Sequence, residues 1–327
     1  MTRVRSIGVL LLALAAGLSI APASSCAQDY PNKPIHFIVV TAAGGLMDVV
    51  ARITAENLGK ALGQSLIIEN RPGVGGNVGA EAIAKAAPDG YTIGLIQLGN
   101  VAINPHVYKD LPFDPLKDLV PVAPVTSSAI LVIANIDVPA KDLRELIALA
   151  KREPGKLNYG SGGTGTVPHL AGEMFANAAG IKINHIPYRG VGPAVNDLTG
   201  GHIQLTFAGW GAVRAAVEAK RAKVLAVAQP RRLKAAPQIP TSAEAGLPGF
   251  EFLTWFGVVA SKGTPAPIVA KLAKQIHAMQ DDPQVQQRFA AGGLEALKET
   301  PEQFGARMQS EYKRFGDIIK AAHLTAQ

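Results

Sequence analysis

Short apolar runs bounded by glycine or proline alternate along this chain with longer runs whose apolar residues recur every three or four positions. That alternation predicts an α/β fold of mainly parallel sheets, with the intervening helices covering both faces. The first unit shows the pattern. An apolar strand, Ile35 to Val40, runs through Thr41-Ala42-Ala43 into Gly44-Gly45-Leu46-Met47-Asp48. A helix from Val49 to Gly59 follows, with Val49, Ile53, Leu58 and Leu62 near one face. Gly44 and Gly45 admit backbone angles closed to other residues and leave no side chain over the turn. Such a turn points unpaired amides at the space before the helix, where the helix dipole favours an anion. The competing reading is a βα connection that binds nothing. Asp48 then caps the helix, its alternative role being to accept a hydrogen bond from a ligand amine or hydroxyl.

The remaining elements follow in order. Ser65 to Glu69 and Tyr91 to Leu98 read as strands, separated by a second glycine-rich turn, Asn70 to Asn77, and a helix from Val78 to Ala87. Asn104-Pro105-His106, Leu111 to Pro115 and Pro121 to Pro124 read as one long irregular connection between lobes. A second series has strands at 130–134, 156–159, 183–187, 203–207 and 224–228, and helices at 143–151, 169–178, 193–198 and 212–219. Pro230 to Pro248 forms a second proline-rich stretch, with a short helix expected around Ser242 to Ala245. Strand Phe252 to Ala260 and helices at 268–279, 283–291 and 301–322 close the chain. Two crossings around one continuous segment imply two lobes, the first built from 28–124 plus 250–327 and the second from 125–249.

Residues 1–27 read as a secretory signal peptide: Arg3 and Arg5, then apolar Ile7 to Ile20, then small residues to Ala27. Cleavage is expected after Ala27 rather than Ala23, which predicts a periplasmic protein. Cys26, the single cysteine, leaves with the signal unless it is lipidated, so the mature chain has no thiol chemistry. Cleavage leaves 30 basic against 25 acidic side chains, a mild positive balance suited to an anionic small ligand. Sparse aromatics and scattered lysines argue against nucleic acid. A monomer without metal or cofactor is expected.

The second candidate turn, Gly160-Ser161-Gly162-Gly163-Thr164-Gly165-Thr166, also sits at the carboxyl end of a predicted strand, where open α/β sheets bind ligands. One turn falls in each lobe, so both can face a shared cleft. Hydroxyls of Ser161, Thr164 and Thr166 would join the amides in holding a carboxylate without arginine. His169, in the first turn of the next helix, suits fixing the glycine loop. Tyr188 and Arg189 are cleft candidates, Arg189 as the partner of a second ligand carboxylate or as a plain surface arginine. Trp210 lies at a strand-to-helix turn and could stack on a ligand, whereas Trp255 reads as core.

Other chemistries fit poorly. Gly73 to Gly79 reads G-x-G-x-x-x-G, and Leu95 to Leu98 offers no acid for a ribose. No lysine follows the second turn as a nucleotide phosphate loop requires. Ser161 lacks the spacing of a nucleophile elbow, and no two of the seven histidines are spaced as a metal pair.

In order along the chain, Tyr30-Pro31-Asn32-Lys33-Pro34, Gly44-Gly45-Leu46-Met47-Asp48, Asn70-Arg71-Pro72-Gly73-Val74-Gly75-Gly76-Asn77 and Pro88-Asp89-Gly90-Tyr91-Thr92 are followed by Tyr159 to Thr166, His185-Ile186-Pro187-Tyr188-Arg189-Gly190 and Glu244 to Gly249. Together they resemble the substrate-binding receptors of tripartite tricarboxylate transporters, the Bug receptors. The resemblance implies a two-lobed periplasmic-binding-protein architecture that closes over a small organic carboxylate for membrane transporter subunits. The loops matching Thr41 to Asp48 and Ser161 to Thr166 would hold one carboxyl group. Gln97, Asn100, Tyr188, Arg189 and Trp210 would meet the rest of the ligand. One departure stands out: the family's first loop carries prolines and an aromatic ring where this chain has Val40, Thr41, Ala42 and Ala43. With Leu46 and Met47 beside that opened space, the ligand is expected to have an apolar or aromatic body. A secreted α/β enzyme acting on carboxylic acids, or a ligand-sensing partner of a signalling system, are the alternatives.

Overall fold

The computed structural model describes residues 30–188 and 190–321. The expected signal peptide and cleavage site, Cys26 and Arg189 lie outside the described residues.

The chain builds one sheet, leaves it for a second, and returns. It lays down β1 (Ile35–Val39), β2 (Leu66–Asn70), β3 (Thr92–Gln97) and β4 (Leu119–Ala129). It then passes directly into β5 (Leu131–Asn135), β6 (Asn158–Ser161), β7 (Asn184–Pro187), β8 (Leu205–Ala208) and β9 (Ala222–Val227). Strands β10 (Leu253–Ser261) and β11 (Glu295–Ala296) complete the first sheet. The helices are α1 (Leu46–Leu62), α2 (Asn77–Ala84), α3 (Asn104–Val107), α4 (Leu143–Arg152), α5 (Val167–Ala179), α6 (Val191–Thr199), α7 (Trp210–Glu218), α8 (Ala266–Asp281), α9 (Pro283–Ala291) and α10 (Pro301–Ala321).

The first sheet has the order β11-β4-β10-β3-β1-β2 and the second β7-β6-β8-β5-β9. Both are mixed. β1, β2 and β3 pair in parallel, while β10 runs antiparallel to β3 and β4. β6, β7 and β8 pair in parallel, while β5 runs antiparallel to β8 and β9. The parallel parts are those that carry βα turns, because a parallel neighbour needs a crossover helix. Their carboxyl ends place the glycine turns.

Three local readings are corrected. Pro121 to Pro124 is not an irregular connection but part of β4, where Pro121 opposes Val259 and Pro124 opposes Gly257. The register shifts beside both, at Phe256/Gly257 and Val258/Val259, so each proline sits at an irregularity that tolerates a missing donor. Gly99 to Ile103 forms a wide helical turn that leads into α3, so Asn104 to His106 is helical. Ser242 to Ala245 makes only turns. Among the described residues, no helix is long and apolar enough to cross a membrane.

Candidate functional site

The first turn spends part of its polarity on itself. Gly44 has φ +85°, and its amide donates to Asp48 Oδ2 at 3.0 Å. The same oxygen accepts from Arg52 Nε at 2.9 Å, and Oδ1 accepts from Asn70 Nδ2 at 3.0 Å and Arg52 Nη2 at 3.3 Å. Burial alone would raise the Asp48 pKa, but the bonds from Gly44, Arg52 and Asn70 hold it below the ordinary carboxylate value. Asp48 is therefore neither ligand acceptor nor N-cap. Gly45 is the N-cap, and Asp48, three residues on, closes the loop from inside the helix. Asn70 also donates to the Thr41 carbonyl at 3.1 Å, which ties the end of β2 to this turn. Met47 is buried in the core, so of the two apolar residues expected at the mouth only Leu46 lines a cavity.

The second turn is braced in the same manner. Ser161 Oγ accepts from the Gly163 amide at 3.0 Å and lies 2.6 Å from His185 Nε2. Thr166 Oγ1 donates to the Gly163 carbonyl at 2.7 Å. The Gly165 amide donates to His169 Nδ1 at 3.0 Å, which fixes that nitrogen as the unprotonated one. The His169 and His185 rings stack at 3.8 Å. Burial lowers both imidazoles, His185 to about 4. The Ser161 and Thr166 hydroxyls thus face the loop's own backbone rather than a ligand, which corrects the expectation for both. Thr164 stays exposed.

Two adjoining cavities lie between the sheets. The smaller, about 400 Å³, is lined from one side by Thr41, Ala42, Gly73, Gly75, Gly76, Gln97 and Tyr108, and from the other by Gly162, Thr164, Gly165 and Thr166. The larger, about 860 Å³, takes Gly44, Gly45, Leu46, Ser128 and Phe256 against Gly192, Ala208, Gly209 and Ala212. Gln97, Val167, Pro168 and Val191 line both. The two glycine turns therefore open on one divided cleft. The Thr41 hydroxyl, buried in the smaller part, has no partner among the described residues.

Charge enters this cleft through helix ends. The N-termini of α1, α5, α6 and α7 open on the larger cavity through Gly45-Leu46, Val167-Pro168, Val191-Gly192 and Gly209-Gly211. Each carries about half a positive charge and several amides without intrahelical partners. Among the described residues no lysine or arginine lines the smaller cavity. Arg214 and Arg288 reach the larger one at its rim, half exposed and paired to Glu218 at 2.7 Å and Glu56 at 2.9 Å. The arrangement is an anion trap made of dipoles.

Other expected residues sit elsewhere. Asn100 is fully buried, accepting from the Gln97 amide at 3.2 Å and donating to the Gly75 carbonyl at 3.1 Å. Tyr188 Oη donates to Asp197 at 2.7 Å, and burial with that carboxylate pushes its pKa up to about 12. Trp210 is core, packed so closely on Gly293 that a Cβ there would lie 2.5 Å from its own. Conversely, the turn at Gly73 to Gly76, Tyr108, Val191, Ser128 and Phe256 line the cleft without having been singled out for it. The Gly73 turn carried a usable signal, since it follows the strand parallel to β1 and must end beside the first turn.

The tripartite tricarboxylate transporter family receptor model matches residues 50–324. BugT of Bordetella pertussis is 34% identical over 321 residues, 98% of each chain. The adipate-bound Rpa4515 of R. palustris superposes with a TM-score of 0.84 at 32% identity, covering 91% of this chain and 99% of that one. The malate-bound MatC of Rhodopseudomonas palustris gives 0.78 at 31%, covering 89% and 100%.

Proposed function

Because this chain belongs to the tripartite tricarboxylate transporter receptor family, we propose that its cleft captures a small organic carboxylate between the two sheets and hands it to membrane transporter subunits. The observation that carries this reading is the convergence of two glycine turns, one from each sheet, on adjoining cavities ringed by helix N-termini. The carboxylate belongs in the smaller compartment, among Thr41, Ala42, Gly162 and Thr164, with the helix ends at Val167-Pro168 and Val191 that line both compartments. Related receptors hold adipate and malate, which supports an organic acid as the ligand class. We take the sheets with their helices as lobes, 28–124 plus 250–327 and 125–249. Contacts completed only when the lobes meet would favour the closed state. Neighbours described as a periplasmic transporter and a periplasmic binding protein support export and a receptor role; removal of residues 1–27 and action as a monomer complete the same proposal. With the family's ring missing from the first turn and Leu46 at the wall, the ligand body is apolar or aromatic.

Calorimetry with the mature chain tests this. At least one of adipate, malate and 3-phenylpropanoate should bind saturably, and its uncharged amide more than tenfold more weakly, since hydrogen bonds to a charged group are worth about 1.5–3 kcal/mol. Gly163→Pro should abolish binding: Gly163 has φ +124° and donates its amide to Ser161, whereas proline holds φ near −65° and has no donor. Equal affinity for acid and amide would refute the proposal.

A further inference from the structure

The larger cavity has a floor that the carboxylate grip leaves unused. Gln97 of β3 lies opposite Phe256 of β10, and Thr254 of β10 lies opposite Ser128 of β4. Opposed residues share a sheet face, as do residues two apart on one strand. Gln97, Phe256, Thr254 and Ser128 therefore point to the same side, and all four line the cavity. Ser128 is only 3% exposed, and its hydroxyl has no partner among the described residues. It lies at the seam between the sheets, where a Cβ on Gly209 would come within 2.9 Å of Oγ. A buried hydroxyl without a partner is costly, and Ser128 lines a space large enough to supply one. The surrounding wall is apolar, with Leu46, Ile130 and Leu294. Its two cations, Arg214 and Arg288, are already paired at the rim. One bound carboxylate already answers the helix N-termini that ring the joined cavities; a second, in this chamber, would repel the first and lose its water against the apolar walls without gaining a free cation among the described residues.

We propose that the larger cavity houses the far end of the ligand, and that this end is an apolar or aromatic body finishing in an uncharged hydrogen-bonding group, such as a phenol or ether, that meets the Ser128 hydroxyl. This rests on the carboxylate reading above and narrows its ligand class to monocarboxylates of that kind.

Two acid series, phenyl- and 4-hydroxyphenyl-alkanoates with one to four methylenes, are titrated by calorimetry into the full mature chain. Adipate and the amides of the hydroxylated acids run alongside. At the best chain length the hydroxylated acid should bind five- to tenfold tighter than its phenyl counterpart, about one net hydrogen bond, and adipate should bind more weakly than both. In Ser128→Ala the ratio of the two aromatic affinities should fall to near one. Adipate binding tightest, a ratio near one in the native chain, or a ratio preserved in Ser128→Ala would each overturn the chamber assignment. The native-chain comparison decides by itself if the variant does not fold. Amides binding as well as their acids, or no acid binding at all, would instead remove the carboxylate reading and this inference with it.

Discussion

Gly165 donates its amide to His169 Nδ1, so one imidazole nitrogen decides whether the second glycine turn keeps its shape. The groups around it are few. His185 stacks on it, Glu173 lies 3.9 Å from Nε2, Tyr159 donates to Glu173 at 2.6 Å, and Ser161 holds His185. Burial lowers the His169 pKa, partly offset by Glu173, and lowers His185 to about 4 through burial and then the neighbouring imidazole. Unfolded histidines titrate near 6.5, so the unfolded chain binds more protons between about pH 6.5 and about 4. Stability from this pair is complete above about 6.5 and drains away as pH falls through that window. Urea denaturation should show about 1 kcal/mol or more lost between pH 7 and pH 5, with His185→Gln flattening the profile. A flat native profile would contradict the buried neutral pair. At this scale the sequence supplied residue types well and directions poorly. His169 as a brace for the loop was legible, because a helix-first-turn histidine after a glycine run has little else to hold. That Ser161, Thr166 and the Gly44 amide turn inward was not, since which backbone atom a hydroxyl or carboxylate meets depends on turn geometry that composition does not encode.

Helix α5 delivers the second turn to the cleft only because it lies very close to β6. Gly172 faces the Tyr159 ring, and a Cβ at that position would sit 2.3 Å from Cε2. Tyr159 is fully buried and held at its hydroxyl, so the ring has nowhere to move. Two effects oppose each other in Gly172→Ala. Helix propensity favours alanine by about 1 kcal/mol, whereas forcing a methyl into a packed interior costs about 1–3 kcal/mol and displaces backbone. Sterics should win at a contact this short. The variant is expected to lose about 1–2 kcal/mol in urea denaturation and to bind carboxylate more weakly, because the helix N-terminus retreats from the cleft. Unchanged stability and affinity would show that α5 has slack. Most elements were legible from periodicity, and their errors are confined to ends. The exceptions were the helical stretch at Asn104 to His106, the helix expected at Ser242 to Ala245, and β4; the prolines of β4 mimic a linker, and the partner that makes it a strand, β10, arrives only after the second sheet is complete. Such non-local pairing leaves no local trace.

Across the whole molecule, the sheets meet at two chain crossings that are bonded to each other. Ile130 donates to the Phe252 carbonyl at 3.1 Å, Phe252 to Ala228 at 2.9 Å, and Ala228 back to Ile130 at 2.8 Å. One apolar core runs through this junction, taking Val125 and Trp255 from the first sheet, Phe252 from the crossing, Val132 and Phe207 from the second sheet and Phe175 from α5. A continuous core makes independent unfolding of one sheet expensive, because its partner would be left with exposed apolar surface. The two tryptophans report on opposite sides: Trp255 is buried in β10 and bonded to Glu311 at 2.5 Å, and Trp210 is buried at the start of α7. In Trp210→Phe and Trp255→Phe chains, each keeping a single reporter, the urea transitions should coincide with one another and with loss of helical circular dichroism. A carboxylate at a hundred times its Kd should then add about 2.7 kcal/mol in both chains, because it is released only when the shared cleft is lost. Two separated midpoints, with ligand moving one and not the other, would mean that the acid is held by one sheet alone and that the junction, not the cleft, is all the two sheets share.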